Sequence, residues 1–347
     1  MVGNGGFLLP HEPIGTIDAY LAAGGGRGLQ AALDVGAEAT IALITSAGLR
    51  GRGGAGFPTG RKWTSVRDGG SGPRFVVANA AEGEPATCKD RLLIRRDPYR
   101  IIEGAAIAAF AVGAGTIYVA TKRSYRREVD ALRDRGGGAN GNWAAAAVER
   151  HESNPTVVNN AETLACAAHI MANGAEWFRS MGTAASPGTL IASVVGDVVR
   201  PGVHEVEMGT SFSELLARCG GPLAGRSFRA AFSGVSNPVL VASAFDTPLT
   251  YEDFAAAGSG LGAAGFVVYD DSVNMTEVAL AMSRFLATES CGQCPPCKQG
   301  SLAITDHLAD ICDGRADDRV LGAIESLLAS VTNANRCFLG SEEQIVV

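Results

Sequence analysis

The stretch GRGGAGFPTGRKW, residues 51–63, sets four glycines in six positions ahead of a Phe, a Pro, a Thr and two cations. Gly51, Gly53 and Gly56 match G-x-G-x-x-G, a turn that binds dinucleotides when a strand precedes it and a helix follows. Here the preceding segment, AEATIALITSAGL (37–49), has helical apolar spacing, which argues against a Rossmann turn. What the glycines still offer is backbone that a flat ring or a phosphate can approach closely, with free amides to donate. Arg52 and Lys62 are candidates to neutralise phosphate charge. A plain Gly-rich surface loop is the competing reading.

Working outward, residues 14–49 are helical, and RFVVANA (74–80) reads as a strand. A helix around DPYRIIEGAAIAAFAVGA, the β-rich TIYVAT (116–121) and the charged helix RREVDALRDR follow. This alternation implies a layered α/β domain, expected over 1–187. The segment GGGANGNWAAAAVERHESN (136–154) breaks the rhythm and reads as a shortened connection. Two strands around an Arg-Pro-Gly turn, a Gly-capped helix and the later FVVYDD suggest a small mixed α+β domain, 188–272. From Asn274, placed as an N-cap with Glu277 as its reciprocal partner, the pattern is wholly helical; three antiparallel helices are expected over 273–347.

Two further polar stretches stand out, the first of them after a predicted strand. NAAEGEPATCKDR (79–91) puts Asn79, Glu82 and Glu84 just past a strand's carboxyl end, where ligands of α/β sheets gather. It also reads as a charged turn with Lys89, Asp90 and Arg91 solvated. PTVVNNAETL (155–164) offers Asn159, Asn160 and Thr163 at a helix start, either as ligand contacts or as caps.

Eight cysteines are present, and ESCGQCPPCKQG (289–300) packs Cys291, Cys294 and Cys297 as C-x2-C-x2-C. That spacing suits three thiolates of a 4Fe-4S cluster, with Cys337 in NANRCFLG as the fourth; zinc is the main competitor. Cys166, Cys219 and Cys312 fall in apolar helical patterns and are expected to be buried packing residues. A formal charge of −7 with scattered cations argues against nucleic acid or an anionic membrane as partner. No apolar run approaches the ~18 residues of a membrane span, and the N-terminus lacks a signal-peptide pattern, so direct membrane insertion is not expected and a cytoplasmic location is the default. The five histidines are scattered and suggest no hydrolase constellation.

In combination, GLRGRGGAGFPTGRKW, N-A-x-E-x-E-P-x-T-x-K-D-R, P-T-x-x-N-N-x-E-T-L, GDVVRPGVHEVEMGT and ESCGQCPPCKQG with Cys337 resemble, almost end to end, the NADH-oxidising, FMN-carrying subunit of NADH:quinone oxidoreductase (complex I) and related hydrogenase and formate dehydrogenase diaphorase subunits. The resemblance implies an FMN-binding α/β domain, a small ubiquitin-like (SLBB-type) domain and a helical 4Fe-4S domain. It implies that Gly51, Arg52, Gly53, Lys62, Asn79, Asn159, Asn160 and Thr163 line the flavin, with Glu82 in the same frame. Phe57 and Glu84 would lie where NADH is received, with Glu84 the catalytic candidate. Electrons would pass from NADH through FMN to the cluster and on to a ferredoxin-like or 2Fe-2S partner in a hetero-oligomer, which can sit at the periphery of a membrane complex. The chain departs from the family pattern in carrying Ala81 before the first Glu, TSV at 64–66, and no Tyr or Gly-Glu-Glu within 136–154, and it stops ten residues after Cys337. An alternative expectation is therefore a non-catalytic 4Fe-4S relay that has lost NADH, with or without FMN.

Overall fold

A computed structural model describes residues 6–135 and 154–347. The connection read at 136–154, with its missing Tyr and Gly-Glu-Glu, lies outside the described residues apart from Asn154. Helices α1 (Ile17–Ala22), α2 (Arg27–Val35), α3 (Ala37–Ser46) and α4 (Thr59–Asp68) precede β1 (Phe75–Asn79). Then come α5 (Lys89–Arg96), α6 (Pro98–Val112), β2 (Thr116–Ala120), α7 (Arg126–Arg135), β3 (Thr156–Asn160), α8 (Ala161–Asn173) and α9 (Ala175–Arg179). The glycine loop thus joins two helices, as the apolar spacing before it predicts.

The three strands are parallel in the order β2-β1-β3, with Asn79 in register with Asn160. The chain leaves β1 for a neighbour on one side, then crosses to the other for β3. Such a reversal opens a crevice at the carboxyl ends of β1 and β3. Buried Val76, Ala78, Val157, Ile101, Ala108 and Leu164 seal the layer beneath it. At Gly104 the helices α6 and α8 approach so closely that a Cβ would meet the Leu164 carbonyl oxygen at 1.9 Å.

The next sheet has the order β5-β4-β8-β6-β7, from β4 (Thr189–Gly196), β5 (Gly202–Glu207), β6 (Phe228–Phe232), β7 (Leu240–Val241) and β8 (Gly265–Asp270). Parallel β4 and β8 run at its centre, and α10 (Phe212–Arg218) and α11 (Tyr251–Ala256) complete the domain. Phe212 anchors the core, with ring centroids 4.9 Å from Phe245 and 4.7 Å from Phe266. Buried Glu205 on β5 accepts from the amides of Leu8 and Leu9 and from the Thr189 hydroxyl, fastening the N-terminal segment.

Burial pushes the Glu205 carboxyl from its ordinary 4.5 up to about 7. The folded state therefore holds this proton more tightly than the unfolded chain. Its stabilisation is full below pH 4.5 and is lost as pH rises through 7, at no more than about 1.4 kcal/mol per pH unit. Denaturation midpoints at pH 5 and pH 8 should show this fall, and Glu205→Gln should flatten it.

The C-terminal part comprises α12 (Met275–Glu289), α13 (Pro295–Cys312), α14 (Asp318–Ser330) and α15 (Leu339–Val346). Asn274 caps α12 by accepting from the Thr276 amide. Four helices replace the three expected: α15 is short and its SEEQ stretch hides the apolar periodicity. Cys337 precedes the final helix. Leu302 and Leu321 are exposed, whereas Ile304, Leu308 and Ile324 form the core. Cys166 and Cys219 are buried as expected; Cys312, at the end of α13, is only half-buried.

Candidate functional site

A cleft of about 260 Å3 opens at the β1/β3 crevice. Gly51, Gly53, Phe57, Lys62, Asn79, Glu82, Glu84, Asn159 and Asn160 line it, so residues from all three polar stretches converge there. Arg52 and Thr163 do not. Both are buried, and the Thr163 hydroxyl accepts from the Arg52 amide at 2.8 Å, pinning the loop to the start of α8. The Arg52 guanidinium turns inward to the Pro187 carbonyl at 3.0 Å. This corrects the expectation that it faces a phosphate.

The loop is closed by the Gly51 amide donating to Phe57 O at 2.9 Å. From the small β domain, the Tyr251 hydroxyl donates to Gly51 O at 2.7 Å, and Arg50 pairs with Glu252 while stacking on the Tyr251 ring. Gly56 has φ +60°, and a Cβ there would sit 2.8 Å from that ring, so the loop needs glycine at this point. Lys62 is half-buried and donates to Val158 O; burial lowers its pKa, which an anion placed in the cleft would reverse. Phe57 stands exposed at the rim.

Below the cleft lies a buried ionic network that includes Lys89 and Asp90, which the charged-turn reading places in solvent. Lys89 Nζ reaches Glu162 Oε2 at 2.7 Å, Asp90 Oδ1 at 3.0 Å and Asn160 Oδ1 at 3.1 Å, and both Lys89 and Asp90 are almost wholly buried. Burial acts to lower the Lys89 pKa, but Asp90 and Glu162 raise it further, so the cation persists. The Asn160 amide donates to Asp90 Oδ2 and its oxygen caps α8 through the Glu162 amide. The Trp63 indole donates to Asn159 Oδ1 at 2.8 Å. The Asn pair is therefore both helix cap and cleft wall. Lys89 was detectable only as the Lys of the K-D-R triplet.

The Glu82 carboxylate accepts from the Asp90 and Arg91 amides, capping α5, and burial and then Asp90 raise its pKa. Glu84 accepts from the Val235 amide at 3.2 Å, which ties the acidic frame to the small domain. The frame carries backbone strain: Ala86 has φ +67°. Such conformations persist where surrounding structure overrides them, commonly at binding sites. Thr87 Oγ1, on the cleft wall, is buried with no hydrogen-bond partner. An orphaned donor, a glycine-lined wall and a cation fit a phosphate-bearing flat cofactor such as FMN.

At the other end of the molecule, Cys294 is the N-cap of α13, Pro295 and Pro296 occupy its first two positions, and Cys297 lies in the first turn. A helix N-terminus favours thiolate. Arg336 donates to Gln293 Oε1 at 3.2 Å, drawing the Cys337 loop against the C-x2-C-x2-C loop. Burial pushes the Cys297 thiol up, and Cys337, Cys294 and Cys291 add to the shift, so the four sulfurs are electrostatic neighbours. Among the described residues no three His, Cys, Asp or Glu side chains converge as a single ion requires. Cys291, Cys294 and Cys297 at the start of α13, with Cys337 on the loop before α15, are free thiols of the kind that would ligate a 4Fe-4S cluster.

Fold and sites define an FMN-binding α/β domain of the NADH-dehydrogenase type joined to a cluster-bearing helical domain. Residues 44–151 match the family model of the Nuo51 FMN-binding domain, 191–232 the SLBB domain, and 277–347 the NADH-ubiquinone oxidoreductase-F iron-sulfur binding region. Over 93% of its length the chain is 36% identical to an NADH-quinone oxidoreductase F-type subunit (F 2) of Rhizobium meliloti (strain 1021), covering 89% of that protein. It is 35% identical, over 88% of its length, to the alpha subunit of the NAD-reducing hydrogenase HoxS of Cupriavidus necator, of which it covers 57%. In the crystal structure of an air-oxidised NAD+-reducing [NiFe]-hydrogenase, one chain superposes with a TM-score of 0.81 at 28% identity. That match covers all of this chain but 65% of the solved one, so the chain spans about two thirds of that neighbour. The chain belongs to the family of NADH-quinone oxidoreductase F-type subunits and hydrogenase diaphorase subunits, oxidoreductase components that carry FMN and a 4Fe-4S cluster. Nothing in these likenesses favours the relay alternative that has lost NADH.

Proposed function

We propose that this chain is the electron-input component of a hetero-oligomeric oxidoreductase, taking electrons from NADH and delivering them through its cluster to an electron-transfer partner of ferredoxin or 2Fe-2S type. FMN, when bound, supplies the hydride-accepting and single-electron chemistry. The carrying observation is the convergence of Gly51, Gly53, Lys62, Asn79, Asn159 and Asn160 on one cleft at the β1/β3 crevice. In this reading the glycine-loop backbone and Lys62 hold the phosphate, and the Asn side chains orient the ring. Arg52 and Thr163 hold the loop, and Phe57 and Glu84 stand on the NADH side. Cys291, Cys294, Cys297 and Cys337 are the cluster ligands. Domain limits at 187/188 and 272/273 are part of the same proposal, as is a cytoplasmic place beside a membrane complex. No helix among the described residues is long and apolar enough to cross a membrane.

Quenching of FMN fluorescence on adding the apoprotein tests the flavin site: stoichiometric quenching is expected, and none would refute it. Tyr251→Phe removes the bond to Gly51 O from a part-buried site, a loss of about 1 kcal/mol. It should weaken FMN binding about five-fold while leaving the melting temperature of the apoprotein close to wild type.

A further inference from the structure

Glu343 on α15 is fully buried, yet among the described residues no cation pairs with it. Its Oε1 accepts from the Ser283 hydroxyl of α12, which is itself bonded to Thr305 of α13 at 2.8 Å. Oε2 and the buried Ser301 hydroxyl have no hydrogen-bond partner, although Ser301 lies close enough to act on the carboxyl. Around it, α12 carries Glu277, Arg284 and Glu289; α13 carries Lys298, Asp306, His307 and Asp310; and α14 carries Arg319 and Glu325. None of these perturbs it, and the adjacent Glu342 turns away to Ser236. Burial, moderated by Ser283 and Ser301, pushes the Glu343 carboxyl up to about 7.

Its position gives this group a role. Ser301 lies four residues beyond Cys297 on α13 and therefore stacks on the same helix face. The helix bearing Glu343 begins two residues after Cys337. Through Ser301 the carboxyl lies about one helical turn along α13 from Cys297, on the helix that follows Cys337, in buried surroundings where an added negative charge is weakly screened.

We propose that Glu343 is a redox-linked proton acceptor of the four-cysteine site, a role that rests on the 4Fe-4S reading of those cysteines. When one electron arrives at the site, Oε2 takes one proton from solvent and an O–H bond forms; when the electron leaves, that bond breaks and the proton returns. The charge added behind Cys297 is thereby cancelled. Ser283, braced by Thr305, donates to the other carboxyl oxygen, and Ser301 supplies the nearby hydroxyl.

The test uses the full chain with iron and sulfide reconstituted under anaerobic conditions. The midpoint potential of the cluster is measured by EPR-monitored titration from pH 6 to 9. Below about pH 7 the group is already protonated and the potential should be flat. Above that it should fall by up to about 59 mV per pH unit, the tenfold-per-unit dependence of one proton per electron. Glu343→Gln should load the same iron and give a flat line throughout. Should that variant fail to fold, reduced-minus-oxidised infrared spectra of the wild type at pH 8 serve instead: a protonated-carboxyl band that shifts in D2O is expected. A loaded wild type with a pH-independent potential, an unchanged slope in the variant, or no carboxyl band would overturn the proposal. Failure to load iron would refute the cluster reading itself, and iron analysis tells the two failures apart.

Discussion

Replacing Lys89 with Met should destabilise the α/β domain by about 3–5 kcal/mol, the cost of removing one partner from a buried ion pair and leaving the other charged. The stem keeps its volume, but Glu162 and Asp90 lose their cation. Glu162 keeps the Ile191 amide at 2.9 Å and the more distant Arg52 cation, and Asp90 keeps the Asn160 amide. Because Asn160 also caps α8 and forms the cleft wall, FMN affinity should fall with stability. The loss should be partly repaired at low pH, where the stranded carboxylates protonate, and by Glu162→Gln in the same chain. A denaturation free energy within about 1 kcal/mol of wild type would show that the network does not support the site.

Cys297→Ser should abolish the cluster. Cys297 is buried in the first turn of α13 amid the other three thiols, and a serine hydroxyl does not ionise to a ligand there at neutral pH. Reconstituted iron and sulfide should drop to background, while FMN binding, in a separate cleft, stays at the wild-type level. Cys312→Ser is the control: half-buried at the far end of α13, it should retain full iron. Equal iron in Cys297→Ser and wild type would remove this residue from the ligand set.

What is legible in the sequence is local. The apolar spacing before Gly51 identifies a helix, so the loop is no Rossmann turn, and α3 leads into it as expected. The C-x2-C-x2-C spacing requires only neighbouring residues, and Asn159-Asn160 stands directly before its helix. What stays hidden depends on contacts between distant segments. Lys89, beside Asp90 and Arg91, looks like a solvated triplet until Glu162 arrives from α8. Arg52 looks like a phosphate ligand until Thr163 and Pro187 fix its backbone and turn its guanidinium inward. Glu84 faces a ligand on strand-end logic, but the small domain supplies the Val235 amide. The helix α15 is masked because its buried charge, Glu343, breaks the apolar pattern that marks a helix.

One chain is thus proposed to bind FMN, receive electrons from NADH and pass them to its own cluster. Stopped-flow absorbance of the anaerobic, FMN- and iron-loaded full chain mixed with NADH measures this directly. Flavin bleaching followed by loss of cluster absorbance is expected in wild type, with flavin bleaching alone in Cys297→Ser. A fully loaded protein whose spectrum NADH leaves unchanged would contradict that electron path.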